Sequence, residues 1–160
     1  MSPLADRNRT VAGLHPEVAV RLARVEQRYT ASRRALVETL AGAGRPLSIP
    51  EILAATPAIP QSSAYRNLTA LIDAKAVRRV AGTDDHGRFE LAEDLAGHHH
   101  HLICASCGQV EDIAASPRLE RALAEAARVA EEETGFTVDD HRMDLVGTCR
   151  RCHPPRRANG

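Results

Sequence analysis

Residues 98–108 have the sequence His98-His99-His100-His101-Leu102-Ile103-Cys104-Ala105-Ser106-Cys107-Gly108. Four imidazoles, an apolar dipeptide and a Cys-x-x-Cys-Gly knuckle therefore follow one another without a break. The apolar dipeptide with its flanking histidines indicates a short strand, in which successive side chains point to opposite faces. His98 and His100 would then face one way, and His99 and His101 the other. The stretch predicts two histidine sites, one on each face of the strand, rather than one four-histidine site.

The four cysteines form two Cys-x-x-Cys pairs, Cys104/Cys107 and Cys149/Cys152. Two thiolates three positions apart on a tight turn can share one tetrahedral zinc ion with a second such pair. The pairs lie forty-one residues apart, so the intervening chain must fold back. A redox role is disfavoured because the pairs lack the βαβ setting of a thioredoxin. We predict a structural zinc site, which has no open coordination position for catalysis.

Composition sets limits on the class of protein. A chain of 160 residues with 2% aromatic residues has room for one ordinary domain or two small ones with thin cores. Residues 1–92 hold 13 basic and 9 acidic side chains, whereas the remainder holds 8 and 12. A basic half joined to an acidic, metal-rich half suggests a nucleic-acid partner for the first. Neither a secretory signal nor an apolar run of about 18 residues is evident, so we expect a cytoplasmic protein with reduced cysteines.

The basic half has the pattern of a winged helix-turn-helix. Apolar periodicity predicts helices over 15–27 and from an N-cap at Thr30 to about residue 42. Ser48-x-x-Glu51 is a capping-box pattern for a short third helix, and Ser62 or Ser63 would cap a fourth running to about residue 74. Strands at 77–80 and 88–91 flank a Gly/Asp turn and predict a hairpin. The fourth helix would enter the major groove of DNA; the rival interpretation is a plain packing module.

The acidic half is predicted as a smaller α+β unit. Ser116-Pro117 opens a helix that ends at Gly135, with five residues expected to face inward: Leu119, Leu123, Ala126, Ala127 and Ala130. Strands are expected around 109–113, and from 136–138 together with 141–146. The predicted organisation is a flexible arm (1–13), a DNA-binding domain (14–91), a hinge (92–97), a metal-binding dimerisation domain (98–153) and a disordered tail (154–160).

Over about 15–152 the chain resembles the ferric uptake regulator family of metal-sensing bacterial repressors. The motifs that carry the resemblance agree in order and spacing: His-His-His-His-Leu-Ile-Cys-Ala-Ser-Cys-Gly-Gln-Val at 98–110, Ser-Ala-Tyr-Arg-Asn-Leu at 63–68, Arg28-x-Thr30-x-x-Arg33, Phe89-Glu90-Leu91, and His141 followed by Cys149-x-x-Cys152.

The resemblance implies a homodimer with an N-terminal winged helix and a C-terminal α/β dimerisation domain. It implies a sensory metal site at the hinge formed by Glu90, His99, His101 and Asp112. His86 or Glu93 are candidates to substitute for family ligands that this chain lacks. It implies a second site in the dimerisation domain formed by His98, His100, Glu120 and His141. Together with the charges on the predicted wing, it gives these DNA-contacting residues: Arg28, Arg33, Ser63, Tyr65, Arg66, Arg78 and Arg79.

The function implied is metal-dependent repression of metal-homeostasis genes at a pseudo-palindromic operator, with Zn²⁺ or Fe²⁺ as the sensed ion. The subclass stays open. Iron-type members usually have a His where this chain has Leu47, and zinc-type members often have Asp and Cys where it has Arg78 and Ala92. The alternatives are a peroxide sensor using bound iron and a zinc-stapled module without regulatory function. A zinc hydrolase or deaminase is disfavoured because the His-x-Glu and Pro-Cys-x-x-Cys signature is absent, and no catalytic residues are predicted.

Overall fold

The computed structural model describes residues 11–80 and 87–152. These residues form two three-stranded sheets, each with its own helices. In chain order the elements are α1 (Val11–Arg24), α2 (Ala31–Ala43), β1 (Leu47–Ser48), α3 (Ile49–Ala55), α4 (Gln61–Asp73), β2 (Val77–Val80), β3 (Arg88–Leu91), α5 (Glu93–Ala96), β4 (His99–Cys104), β5 (Val110–Ala114), α6 (Pro117–Thr134) and β6 (Asp144–Gly147).

The first unit is the predicted winged helix. Helices α1 to α4 bury their apolar faces in one core, with Leu22, Leu36, Ile52 and Leu71 fully enclosed. Strands β2 and β3 form the antiparallel hairpin, and the short strand β1, which sequence patterning missed, pairs with the other edge of β3. The sheet positions the end of β3, and with it Glu90, next to the second unit.

Local capping signals set several helix boundaries. The Thr30 hydroxyl accepts a hydrogen bond from the backbone N–H of Arg33 at the start of α2. At the start of α3 the Glu51 carboxylate accepts hydrogen bonds from the backbone N–H and the hydroxyl of Ser48, at 2.8 and 2.7 Å. Ser116 caps α6, and Gly135 ends it with a φ of 72°, a conformation that glycine adopts without steric cost.

Some predicted boundaries in the first unit were wrong. Helix α1 begins at Val11 and not at His15, so residues 11–13 of the predicted arm are helical. Helix α4 begins at Gln61, with Pro60 and neither Ser62 nor Ser63 in the capping position. The predicted hinge contains the single helical turn α5. Local sequence patterns locate a helix end only within a residue or two, and α1 extends about one further turn beyond that.

The second unit is built on strand β4. β5 pairs antiparallel to one edge of β4, and β6 pairs parallel to the other. Residues 136–138, predicted to be part of the last strand, are not in a strand, and β6 begins only at Asp144. The apolar side chains of α6 were predicted to face inward, but no residue of this helix is buried in the single chain.

Three predicted features lie outside the described residues: the first ten residues of the arm, the turn carrying His86, and the tail 154–160. Among the helices that the structure describes, none is both long and apolar enough to span a membrane.

Candidate metal centres

The four cysteines converge as the sequence spacing predicts. One Sγ atom from each of Cys104, Cys107, Cys149 and Cys152 lies within 4.8 Å of the others, and the Cys107 and Cys149 sulfurs are 3.7 Å apart. Zinc–thiolate bonds of about 2.3 Å place tetrahedral sulfur ligands about 3.8 Å apart. All four cysteines are free thiols. The donor set and its spacing therefore fit a closed structural zinc site.

The sheet explains how the two knuckles meet across forty-one residues. Cys104 ends β4, and the parallel strand β6 ends beside it, with Gly147 opposite Cys104. The chain then turns so that the backbone N–H of Cys149 donates to the Cys104 sulfur at 3.3 Å. This hydrogen bond makes the largest contribution, and together with hydrogen bonds from the backbone N–H groups of Cys107 and Ser106 it lowers the pKa of the Cys104 thiol to about 6. The lowered pKa favours the thiolate form that binds a metal ion.

A second cluster spans the junction between the two units. Glu90 comes from β3 of the winged helix, whereas His99 and His101 come from β4 and Asp112 from β5. The Glu90 Oε2 atom lies 3.1 Å from His99 Nε2 and 3.2 Å from His101 Nε2, and Asp112 Oδ1 lies 3.9 Å from His101 Nε2. Donors held about 2.0–2.2 Å from a tetrahedral ion are separated by about 3.3–3.6 Å. The arrangement fits a divalent ion with two nitrogen and two oxygen donors. We call this group the junction site.

Hydrogen bonds on the far side of each imidazole orient the two histidines of the junction site. His99 Nδ1 lies 2.8 Å from the carbonyl oxygen of Gly97, and His101 Nδ1 lies 3.1 Å from Asp144 Oδ1. When Nδ1–H donates to these oxygens, the neutral imidazole directs its Nε2 lone pair at the junction site, where a metal ion can replace the proton. Sequence reasoning missed Asp144, because only the parallel pairing of β4 with β6 places it opposite His101.

The charges at the junction site are strongly coupled. Burial disfavours ionisation of Glu90, yet hydrogen bonds to His101 and His99 and the charge of Arg78 together hold its pKa well below the usual range. The hydrogen bond to Glu90 raises the pKa of His99. Burial opposes a rise at His101, but Glu90 and Asp144 still raise its pKa. Without a metal ion, protons on the histidines balance the carboxylates, so metal and protons compete for the same nitrogen atoms.

A third cluster lies on the opposite face of β4, as strand alternation predicts. It consists of His98, His100, Glu120 from α6 and His141. Glu120 is central: its Oε1 lies 2.8 Å from His100 Nε2, and its Oε2 lies 3.2 Å from both His98 Nε2 and His141 Nε2. Three imidazoles and one carboxylate suit zinc and related divalent ions.

The remaining candidate ligands lie elsewhere. Glu93 is in neither histidine cluster of the described residues; its carboxylate contacts Arg78 at 3.5 Å and hydrogen-bonds His98 Nδ1. Leu47 is buried in the winged-helix core and pairs with Phe89 across the sheet, so it supplies no donor.

The predicted DNA-contacting residues differ in exposure. Tyr65 and Arg66 are exposed on α4, and the Arg66 guanidinium lies 3.3 Å from the Ser63 hydroxyl. Arg79 is exposed on β2 and Arg28 on the loop after α1. The Arg33 side chain ties α2 to α4 by donating to Asn67 at 3.1 Å, and also contacts Arg28 and Gln27.

Arg78, by contrast, does not extend from the wing. Its guanidinium donates to Glu90 Oε1 at 2.5 Å and lies 3.5 Å from Glu93, so it faces the junction site. Sequence alone gave no signal for this contact beyond the cross-strand position of Arg78 opposite Glu90.

The structure joins a winged helix with an exposed Tyr-Arg pair, through a cluster of metal ligands, to a sheet with a four-cysteine site. This combination defines a metal-responsive DNA-binding regulator.

Comparisons with known proteins agree with this class. Residues 24–146 match the model of the ferric uptake regulator family. The chain is 33% identical over 99 residues to the ferric uptake regulation protein of Bacillus subtilis, a match covering 61% of this chain and 63% of that protein. It is 30% identical over 129 residues to the peroxide-responsive repressor PerR of Staphylococcus aureus, covering 78% of this chain and 82% of the repressor.

The fold is also that of a solved structure. The Helicobacter pylori ferric uptake regulator matches with a TM-score of 0.74 and 23% sequence identity, covering 95% of this chain and 97% of that one. The chain belongs to the ferric uptake regulator family of metal-dependent transcriptional regulators.

Proposed function

We propose that this protein is a repressor of metal-homeostasis genes whose DNA binding is switched on by a divalent ion, Zn²⁺ or Fe²⁺, at the junction site. One observation carries the proposal. Glu90 of the winged-helix sheet and His99 of the second sheet direct donor atoms to the same point, 3.1 Å apart. An ion bound there ties the DNA-binding unit to the rest of the chain. The role of the metal is regulatory and not catalytic.

The ion acts by shifting a conformational equilibrium. It binds an arrangement in which donors from both units converge better than one in which the units have separated. A tenfold population shift requires about 1.4 kcal/mol of differential binding, and a change from 1:99 to 99:1 requires about 5.5 kcal/mol. Separation of the units would remove Glu90, one of the four donors of the junction site, so the ion would bind the separated arrangement less tightly.

The functional unit proposed is a homodimer formed through the second unit. Helix α6 has no buried residue in the single chain. Phe136 and Val146 are 75% and 65% exposed, and Leu102 and Leu145 of the neighbouring strands β4 and β6 are 40% and 47% exposed. Leu102 and Leu145 pair across β4 and β6 and share one face of the sheet, and an exposed apolar face of this kind marks an association site. A two-fold dimer would present two winged helices to a pseudo-palindromic operator, in the cytoplasm, where the chromosome lies.

Tyr65 and Arg66 are proposed to contact bases or backbone in the major groove, with Arg28, Arg33, Ser63 and Arg79 nearby. Their exposure on α4 and its flanks supports this assignment. The proposed DNA-binding domain spans 14–91 and the dimerisation domain 98–153, linked through 92–97. The four-cysteine site would staple the dimerisation domain, and the cluster around Glu120 would bind a further ion there.

The test is retardation of a promoter duplex by protein that carries zinc at the four-cysteine site alone, titrated separately with Zn²⁺, Fe²⁺, Mn²⁺ and Ni²⁺. We expect specific binding that depends on added metal and is lost with a chelator weak enough to spare the thiolate site. The Tyr65→Ala variant should lose more affinity for the specific duplex than for random DNA. Identical binding with and without metal would contradict the proposal.

A second candidate function is peroxide sensing through bound iron. The two-nitrogen, two-oxygen donor set of the junction site suits Fe²⁺, and the Staphylococcus aureus relative carries the name of a peroxide-responsive repressor. Iron is redox-active, whereas zinc is not. Hydrogen peroxide should then abolish DNA binding of the Fe²⁺-loaded protein and spare the Zn²⁺-loaded protein. Equal resistance of both forms would leave metal sensing as the function.

A further inference from the structure

Arg78 places a permanent positive charge against the junction site. Its Nε atom donates to Glu90 Oε1 at 2.5 Å, while the other oxygen of the same carboxylate lies 3.1 and 3.2 Å from the Nε2 atoms of His99 and His101. The Glu90 carboxylate is 7% exposed and the Arg78 side chain 20%. Water therefore screens this pair poorly, and one carboxylate is shared between a guanidinium and the proposed metal position.

We propose that Arg78 is a built-in counter-cation that competes with the metal ion for Glu90 and thereby sets the metal concentration at which the junction site fills. This inference rests on the proposed function of that site. A guanidinium remains charged at all physiological pH values. It neutralises much of the Glu90 charge that would attract the ion, and it repels a doubly charged ion directly. Both effects weaken metal binding.

The surroundings give Arg78 a second partner when the ion enters. Glu93 lies 3.5 Å from the Arg78 Nη1 atom, whereas Glu90 is bound by the Nε atom of the same guanidinium. A cavity of about 180 Å³ adjoins both side chains and the two histidines of the junction site. The guanidinium can therefore move from Glu90 towards Glu93 without breaking a packed core. A displaceable internal cation of this kind lowers affinity without removing a ligand.

A purely structural role for Arg78 predicts the opposite effect. If its hydrogen bond mainly oriented Glu90 as a ligand, its loss would misplace the carboxylate and weaken metal binding. Glu90, however, is held by its position in β3, paired on one side with β2 and on the other with β1, and by burial. Removal of Arg78 should therefore displace the Glu90 carboxylate only slightly, while it abolishes the repulsion between the guanidinium and the metal ion. The net effect of removing the positive charge should be stronger metal binding.

The test measures Mn²⁺ binding in the absence of DNA, using the signal of the free aqueous ion in electron paramagnetic resonance. The full-length, zinc-loaded protein would carry His141→Ala, which removes a donor from the cluster around Glu120 so that the junction site dominates the titration. Arg78→Gln should bind Mn²⁺ at least about tenfold more tightly than its parent, equal to about 1.4 kcal/mol. Arg79→Gln, which removes the same charge from a more exposed position lining the same cavity, should stay within about threefold of the parent. Arg78→Lys, which keeps the charge, should stay within about threefold of the parent.

Unchanged or weaker Mn²⁺ binding by Arg78→Gln, with native circular dichroism, would overturn the inference. An equal gain in Arg79→Gln would overturn it too, because the effect would then be one of overall charge. These outcomes are separable from the proposed function. If only the competition by Arg78 is wrong, metal-dependent DNA retardation persists with unchanged Mn²⁺ affinity. If only the regulatory role is wrong, Arg78→Gln binds Mn²⁺ more tightly while retardation ignores metal.

Discussion

Asp144 offers a sharp quantitative test of the junction site, since it contacts a proposed ligand without belonging to the four-donor cluster. Its Oδ1 atom lies 3.1 Å from His101 Nδ1, which fixes the tautomer that leaves Nε2 available. Asp144→Ala removes this acceptor. The imidazole can then rotate, and its preferred tautomer no longer presents a lone pair to the ion.

The expected loss of metal affinity follows from the geometry. Substitution of residues that hydrogen-bond to metal-ligating histidines typically costs about 10- to 100-fold in affinity. The Asp144 side chain is 44% exposed, so water can replace part of the lost hydrogen bond. The lower end of the range, about tenfold or about 1.4 kcal/mol, is therefore expected. Asp144→Asn should lose less, because its amide oxygen can still accept a hydrogen bond from His101 Nδ1–H.

Mn²⁺ titration by electron paramagnetic resonance measures this loss directly, with Asp139→Ala as a matched control that removes an exposed carboxylate from the preceding loop. Circular dichroism would verify that β6, which begins at Asp144, remains folded. An Asp144→Ala affinity within twofold of the control would refute the reasoning that this carboxylate orients His101.

Three further predictions concern the zinc staple, a helix cap and pH. Cys104→Ser should lose the structural zinc and shift the dimer towards monomer, measured by metal analysis and sedimentation; full zinc content would remove the stapling role. Hydrogen bonds from Arg45 and Ser48 outweigh burial and lower the pKa of Glu51 to about 2, so its stabilisation is present above about pH 4.5 and is lost as the pH falls towards 2. Glu51→Gln keeps an acceptor in the capping box but removes the charge, so it should lower the free energy of unfolding at pH 7 by about 1 kcal/mol. Its stability should also decline less steeply in acid, as measured by denaturation curves; equal stability of the two proteins would contradict this role of the Glu51 charge. Because the pKa values of His99 and His101 are raised, metal affinity should rise with pH above about 6.5. Over the same pH range the metal-free protein should lose the stabilisation from its imidazolium–carboxylate pairs. A metal affinity whose pH midpoint lies below about 6 would contradict the raised pKa values.

Sequence reasoning succeeded where one local period or spacing decides the geometry. The alternation of a strand was sufficient to separate His98 and His100 from His99 and His101. The Ser48-x-x-Glu51 pattern predicted a capped helix because its hydrogen bonds close within four residues. The winged-helix order followed from the helix periods and the hairpin.

The sequence did not predict contacts that depend on the pairing of strands or on a surface of a partner molecule. Asp144 meets His101 only because β6 runs parallel to β4, and Arg78 faces Glu90 only because of the register between β2 and β3. The apolar stripe of α6 predicted burial, yet the helix has no buried residue in the single chain. Amphipathic periodicity identifies the apolar face of a helix but not the molecule that covers it.

The most direct test of metal sensing at the junction compares His99, the first residue of β4, with His98, which directly precedes the strand and belongs to the other histidine cluster. His99→Ala removes a donor from the junction site, and His98→Ala removes one from the cluster around Glu120. Retardation of the promoter duplex would be titrated with metal for both zinc-loaded variants. We expect His99→Ala to remain a folded dimer whose DNA binding no longer depends on metal. His98→Ala should retain metal-dependent DNA binding. A metal response that survives in His99→Ala would contradict the central claim that the ion is sensed at the junction of the two units.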